Sequence, residues 1–235
     1  MNHEEHSTDV AARARDLLRD CGVDAEAMSE QEITRRATAI ADAATKYANE
    51  MRGGFSATFD EHIESEFTHE SVDETMATMV DDPWLVLAPV LTGGVGWDEV
   101  ETYYREDFIG KWPKDLAITP ISRTIGDRQV VEEMVADFTH DIEMPAILPG
   151  IAATGKKVSL PFVVIMGFNP DTGKVTHEHV YWDQGCFLLQ VGLIDESLPV
   201  FGPEQGRKLL DKHALPSNPL NKPLWPERSP TGDDR

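Results

Sequence analysis

Between Val130 and Val191 the chain gathers residue types suited to moving protons. One strand-like run closes on Phe138-Thr139-His140-Asp141, a loop follows from Leu148 to Lys156, and a last run ends Glu178-His179-Val180-Tyr181-Trp182-Asp183-Gln184. Carboxylate, imidazole and phenol groups at one end of a sheet, above apolar residues, are the ingredients of general acid–base catalysis over an apolar pocket. A period of two sorts each strand into two faces. Val130, Met134, Ala136, Phe138, His140, Ile142 and Met144 share one face, with Glu132 also on it, so His140 points where the apolar side chains point.

In the last run, Val175, His177, His179, Tyr181 and Asp183 share one face, and Glu178, Val180 and Trp182 share the other. If the first face lines the cavity, Asp183 is a partly desolvated carboxylate and the expected general acid or base. His140 is then its partner or polarises a substrate oxygen, and Tyr181 donates to the developing oxyanion. If that face meets solvent, Glu178 with Trp182 is the functional pair instead. Further candidates for substrate contact are Arg123, as a counter-ion or an edge residue, His69 between two helices, and the aromatic pair Trp84 and Tyr104. His177 and His179, two apart on one strand, could also chelate a metal with Asp183 or His140 completing the set. Nucleophilic catalysis finds little support, because Cys186 lies in an apolar run and no serine stands in a nucleophile-elbow context.

The elements that must position these groups are legible in the pattern. Residues 1–33 are acidic and Ala-rich, an appendage with a frayed helix at Val10–Asp20. A helix follows over Ile33–Tyr47, Gly53-Gly54 breaks it, and a second runs from Phe55 to Phe67. Ser71-Val72-Asp73-Glu74 reads as a capping box, and Asp81-Asp82-Pro83 stops that helix before a short buried strand, Trp84–Leu87. Trp97–Ile109 is helical, with Val100, Tyr103, Tyr104 and Phe108 near the helical repeat. Four longer strands are expected at Leu116–Ile125, Gln129–Met144, Lys157–Phe168 and Val175–Asp183, joined through hairpin-type turns at Gly126-Asp127 and Asn169–Gly173. A closing helix at Phe187–Leu193, another at Pro203–Lys212 and an extended Pro-rich tail from Leu215 complete the chain. Helices followed by antiparallel strands predict an α+β fold, a curved sheet wrapped cone-like around the helices. The expected organisation is an appendage over 1–33, the cone domain over 34–195 and a helix with its tail over 196–235.

With 42 acidic against 21 basic residues, a formal charge of -21 repels nucleic acid backbones and anionic lipid headgroups. Two cysteines, Cys21 and Cys186, exclude a disulfide framework and a thiolate metal cluster. The acidic N-terminus shows no secretory pattern and no apolar run approaches the roughly 18 residues that span a bilayer, so a cytoplasmic location is expected.

The stretch from about Phe55 to Leu193 resembles the SnoaL-like branch of the nuclear-transport-factor-2-like superfamily, which includes polyketide ester cyclases, ketosteroid isomerases, dehydratases and epoxide hydrolases. Its best local matches are Leu148-Pro149-Gly150 with Thr154-Gly155, and Glu178 to Gln184 followed by Leu188-Leu189-Gln190-Val191-Gly192-Leu193. Ala152-Ala153 stands where the cyclases usually have a proline pair. The resemblance implies a cofactor-independent acid–base enzyme acting on a small hydrophobic molecule, with Asp183 at the position of the cyclase aspartate. It also implies a homodimer formed through the outer face of the sheet. A non-catalytic ligand-binding or dimeric interaction module is the alternative.

Overall fold

The computed structural model describes residues 3–26 and 28–221. The expected tail lies outside the described residues from position 222 onward. Two compact units divide the chain, Met1–Gly54 and Phe55–Arg235. In the first, α1 (His3–Asp20) and the early turns of α2 (Glu30–Phe67) bury Ala14, Leu18, Ile33 and Ala37 against one another. Gly53-Gly54 does not break α2, contrary to the sequence expectation. Each glycine costs only about 1 kcal/mol in a helix interior. Phe55 and Phe59, both buried just beyond, contribute about 2 kcal/mol or more apiece and hold the next turns helical.

In the second unit the end of α2 packs on a six-stranded curved sheet of order β2-β1-β6-β5-β4-β3. Phe55 stacks on Phe168 of β5 at 5.0 Å between ring centres. The strands are β1 (Met79–Leu87), β2 (Thr92–Val95), β3 (Ala117–Ile125), β4 (Gln129–Thr139), β5 (Lys157–Phe168) and β6 (Val175–Trp182). All neighbours are antiparallel except β1 with β6. This is the α+β architecture expected from the sequence.

Three local departures shape the interior. First, α3 (Val72–Ala77) is capped by Ser71 Oγ, which accepts from Glu74 N–H at 3.2 Å, as the capping box predicts. However, Asp81-Asp82-Pro83 does not end that helix, which stops at Ala77: it lies inside β1, in a register break between Met79 and Trp84 that accommodates a proline without a ladder donor. Second, α4 (Trp97–Tyr103) widens into a π turn over Tyr104–Phe108, closed by Ile109 N–H to Tyr104 C=O at 2.9 Å. The extra residue per turn buries Tyr103, Tyr104 and Phe108 together. Third, β3 carries a bulge between Pro120 and Ser122. Ile118 and Pro120 face inward before it and Arg123, opposite Glu132, faces inward after it, which strict alternation forbids. The strand β4 also ends five residues earlier than expected, at Thr139. The helices α5 (Gln184–Gln190) and α6 (Glu204–Leu210) follow the sheet.

The β1–β2 ribbon depends on Gly93, whose φ of +124° is a glycine conformation and whose added Cβ would lie 2.2 Å from the Leu85 carbonyl oxygen. Gly93→Ala should therefore destabilise the fold by about 2 kcal/mol or more, read from the midpoint of urea unfolding. A midpoint unchanged from wild type would contradict this close approach.

Candidate functional site

Between α2 and the inner face of the sheet lies a cavity of about 500 Å³. Its walls are mainly apolar: Phe59, Phe67, Phe108, Trp112, Met134, Phe162 and Val164 contribute to them. Two buried carboxylates, Glu66 and Glu178, also line it. On α2 the spacing Phe55, Phe59, His62, Glu66 follows the helical repeat, so the turns that bury two phenylalanines also bury an imidazole and a carboxyl. On β6, Glu178 shares the inward face with Val180 and Trp182.

His62 is fully buried and organises this polar group. Its Nδ1 lies 2.6 Å from Thr78 Oγ1, and that hydroxyl gives its only proton to Thr75 C=O at 2.7 Å. Nδ1 must then be the donor. On the other side, Nε2 lies 3.0 Å from Tyr104 Oη, 3.2 Å from Glu66 Oε1 and 3.5 Å from Glu178 Oε2. Tyr104 O–H donates to Glu178 Oε2 at 3.1 Å, so its oxygen accepts from Nε2. Both ring nitrogens carry protons and the ring is an imidazolium. Burial opposes that charge, but Glu66 and Glu178 outweigh it and hold the pKa up to about 10.

One imidazolium cannot neutralise two carboxylates. Burial, followed by repulsion from Glu178, pushes Glu66 up to about 7, with His62 acting in the opposite direction. Glu66 Oε1 is within ion-pair distance of His62 Nε2, yet no donor is aligned to give it a hydrogen bond. Nearby, the Trp112 indole N–H is buried with no acceptor. The Tyr103 and Tyr104 phenols are pushed well above their ordinary range by burial and by both glutamates, so they remain protonated donors.

A second polar group lies nearer the solvent. Arg123 pairs with Asp60 at 2.7 Å, with Glu132 and with Ser56 Oγ at 2.9 Å, and its guanidinium lies 4.6 Å from the centre of the Phe59 ring. Burial works against the guanidinium charge, but these two carboxylates more than compensate and raise its pKa. Glu132 and Glu178 stand on strands two apart with a two-residue offset, which separates their backbones by roughly 12 Å. The cavity therefore has a deep polar end and a polar rim, joined by apolar wall.

Of the sequence candidates, Arg123 lines this cavity and Tyr104 belongs to its deep polar group. The expectation that His140 and Asp183 face one hollow is corrected. His140 is buried beyond the end of β4, against Thr154 Oγ1 at 3.0 Å and the Phe187 ring, and is not among the cavity residues. Burial lowers its pKa, the Asp141 charge opposing. Asp183 is exposed and caps α5, accepting from Cys186 N–H at 3.1 Å and from Gln205 Nε2 at 2.6 Å. The reason is parity: beyond the register break at the start of β6, odd-numbered residues from His177 onward face outward, which also leaves Tyr181 43% exposed, whereas Val175 before the break is buried.

Trp84, 48% exposed, stands on that outer face beside His177 and His179, and His69 is an exposed partner of Glu74 at 2.6 Å. Neither lines the cavity. The His177 and His179 rings are 4.7 Å apart, but no third metal-type donor joins them among the described residues. Such a trio does exist in His62, Glu66 and Glu178, whose donor atoms lie within 4.8 Å of one another. A metal ion there would first have to displace the Nε2 proton.

Sequence reasoning missed His62 and Glu66. A signal was present: a histidine and a glutamate four apart, embedded in the helical stripe of Phe55, Phe59, Ile63 and Phe67. Glu178 was visible only as the alternative to Asp183.

No family model matches the chain, and no curated protein matches it significantly. Solved structures do. One is described as a SnoaL-like polyketide cyclase, from Jannaschia sp. CCS1, at 13% identity and TM-score 0.49, over 61% of this chain and 94% of that one. Another is an NTF2-like protein of unknown function from Burkholderia pseudomallei, at 15% identity and TM-score 0.46, over 59% and 97%. A third is a hypothetical protein with a ketosteroid isomerase-like fold from Catenulispora acidiphila, at 11% identity and TM-score 0.45, over 58% and 93%. They are proteins of the kind that the sequence resemblance named. The description of the fold rests on the strand order and packing above, and none of them assigns a reaction to this cavity.

Two measurements check this geometry. Glu66, raised from 4.5 to about 7, and His62, raised from 6.5 to about 10, both hold more protons folded than unfolded. Their stabilisation is complete at low pH and is lost as pH rises through the folded values. Urea-unfolding stability should accordingly fall between about pH 5 and pH 10, and Glu66→Gln should flatten that fall. A Glu66→Gln profile as steep as wild type would contradict the assignment. Asp183→Ala should cost about 1 kcal/mol through loss of the α5 cap. It should leave ligand binding in the cavity unchanged, as followed by protein NMR shifts.

Proposed function

We propose that the cavity carries out proton transfer on a small, largely apolar substrate, with Glu66 as the acid–base group. The observation that carries this reading is the environment of Glu66: a cavity-lining carboxyl whose pKa lies near neutrality and whose Oε1 is ion-paired with His62 but takes no aligned hydrogen bond. A base is most useful when its pKa lies near the working pH, and burial between a like charge and an imidazolium produces that value here.

Each neighbour has a stated part. Glu178 is the second carboxylate, fixed by the Tyr104 hydroxyl, and its charge keeps Glu66 proton-hungry. His62 stays charged and holds both carboxylates in place. The Trp112 N–H is a donor for a substrate oxygen on which negative charge develops. In the forward step a proton leaves a substrate C–H or O–H for Glu66 Oε1. In the return step Glu66 delivers it to another atom of the same substrate, which yields isomerisation, ring closure or elimination according to what the substrate carries. Asp183, His140 and Tyr181, the groups expected from sequence, have no part in this mechanism because they do not reach the cavity.

Exchange of the α-protons of cyclohexanone in deuterium oxide, followed by proton NMR, provides a substrate-independent test. Wild-type protein should accelerate exchange beyond an equal concentration of acetate, and Glu66→Gln should lose about a hundredfold or more of that acceleration. Asp183→Asn should keep it. Equal rates for wild type and Glu66→Gln would sink the proposal.

A further inference from the structure

The charge around the cavity is lopsided. Asp60, Glu64, Glu66, Glu132 and Glu178 line it, whereas Arg123 is the only lysine or arginine among the described lining residues, and His62 stands behind the wall. Both cations are already committed. Arg123 divides its guanidinium between Asp60, Glu132 and Ser56, and His62 lies between Glu66 and Glu178. An anionic ligand would meet Glu66 and Glu178, which share a single imidazolium, and no uncommitted lysine or arginine among the described lining residues. A neutral one would leave these two carboxylates sharing that imidazolium while excluding their water, which raises the cost of the charge.

The walls complement a cation as well. Phe67, Phe108 and Trp112 form a cluster of edge-to-face pairs, with ring centres 5.4–5.6 Å apart, along the cavity. Aromatic groups beside carboxylates attract a desolvated ammonium through the ring quadrupole and through its charge. Glu66 Oε1, on a side chain that is 1% exposed, has an ion-pair contact with His62 but no aligned hydrogen bond, and it lies at the edge of this space. At about 500 Å³ with mostly apolar lining, the cavity is sized for an organic molecule rather than a bare ion.

We propose that the natural ligand is an organic cation, a hydrophobic amine or ammonium compound whose charged head lies against Glu66 and Glu178 and whose apolar body fills the space beside Phe67, Phe108 and Trp112. The proposal rests on reading this cavity as the ligand site. It also deepens the proposed mechanism: a cation next to Glu66 favours the ionised carboxylate, so the ligand prepares its own base. The net charge of -21 adds a long-range attraction that speeds arrival of such a ligand.

The test compares benzyltrimethylammonium with neopentylbenzene, which has nearly the same shape and no charge, by NMR titration of the full chain. The ammonium should bind at least tenfold more tightly, and salt should weaken it more than its isostere. The Glu66→Gln/Glu178→Gln double variant should bring the two affinities within about threefold of each other. If that variant does not fold, the surface pair Asp60→Asn/Glu64→Gln should reduce the preference for the ammonium in part.

Equal or tighter binding of the neutral compound would overturn the proposal, as would failure of both compounds to bind. Uptake of Zn²⁺ or Mn²⁺ at His62, Glu66 and Glu178 without any ammonium preference would also overturn it, because the excess charge would then belong to a metal. The outcome is separable from the proton-transfer reading. Loss of ammonium preference with cyclohexanone exchange intact refutes only the ligand class, and the reverse refutes only the chemistry.

Discussion

Two carboxylates and one imidazole buried side by side form the interaction on which this structure turns. Placing Glu66 and Glu178 out of water is costly, and the protein offsets that cost with a single imidazolium, Tyr104 and the Thr78 hydroxyl. The compensation is incomplete by one charge. Burial and that shortfall raise Glu66 toward neutrality, leave Oε1 without an aligned hydrogen bond and give the cavity its chemical character.

Several elements serve this arrangement at some local cost. The π turn over Tyr104–Phe108 replaces regular helix and brings the Tyr104 hydroxyl between His62 and Glu178. The bulge near Ile121 breaks the alternation of β3 and turns Arg123 inward, where it neutralises part of the rim. The unbroken α2 presents His62 and Glu66 on the same stripe as Phe55 and Phe59. The π turn and the β3 bulge are each matched by a polar contact at the cavity, which is where strained or irregular backbone is expected to collect.

The outer face of the sheet shows what the same residue types do without enclosure. His177, His179 and Trp84 form a cluster of rings on the wall away from the cavity, and Tyr181 is exposed on the same face. Asp183 satisfies a helix N-terminus there. Asp183 is exposed, whereas Glu178, five residues earlier and on the opposite parity, is buried beside an imidazolium. The difference between a cap and a candidate catalytic group is one residue of register.

Local pattern determined much of this protein. The four long strands, the turns between them, the Ser71 cap and the α+β class all follow from alternation, turn chemistry and capping that neighbours in sequence impose on one another. From His177 onward alternation also divided β6 into its two faces, although a register shift buries Val175, expected on the face of His177; alternation could not say which face was inside. That choice belongs to packing against α2 and β1, residues far away in the chain, as do the bulge of β3 and the continuity of α2 through Gly53-Gly54. His62, Glu66, Tyr104 and Glu178 come from three separate segments, and only burial in common makes them one polar group. Sequence specified which residues could hold or move a proton; the tertiary structure decided which of them are out of water, because desolvation depends on everything that surrounds a group and not on its neighbours along the chain.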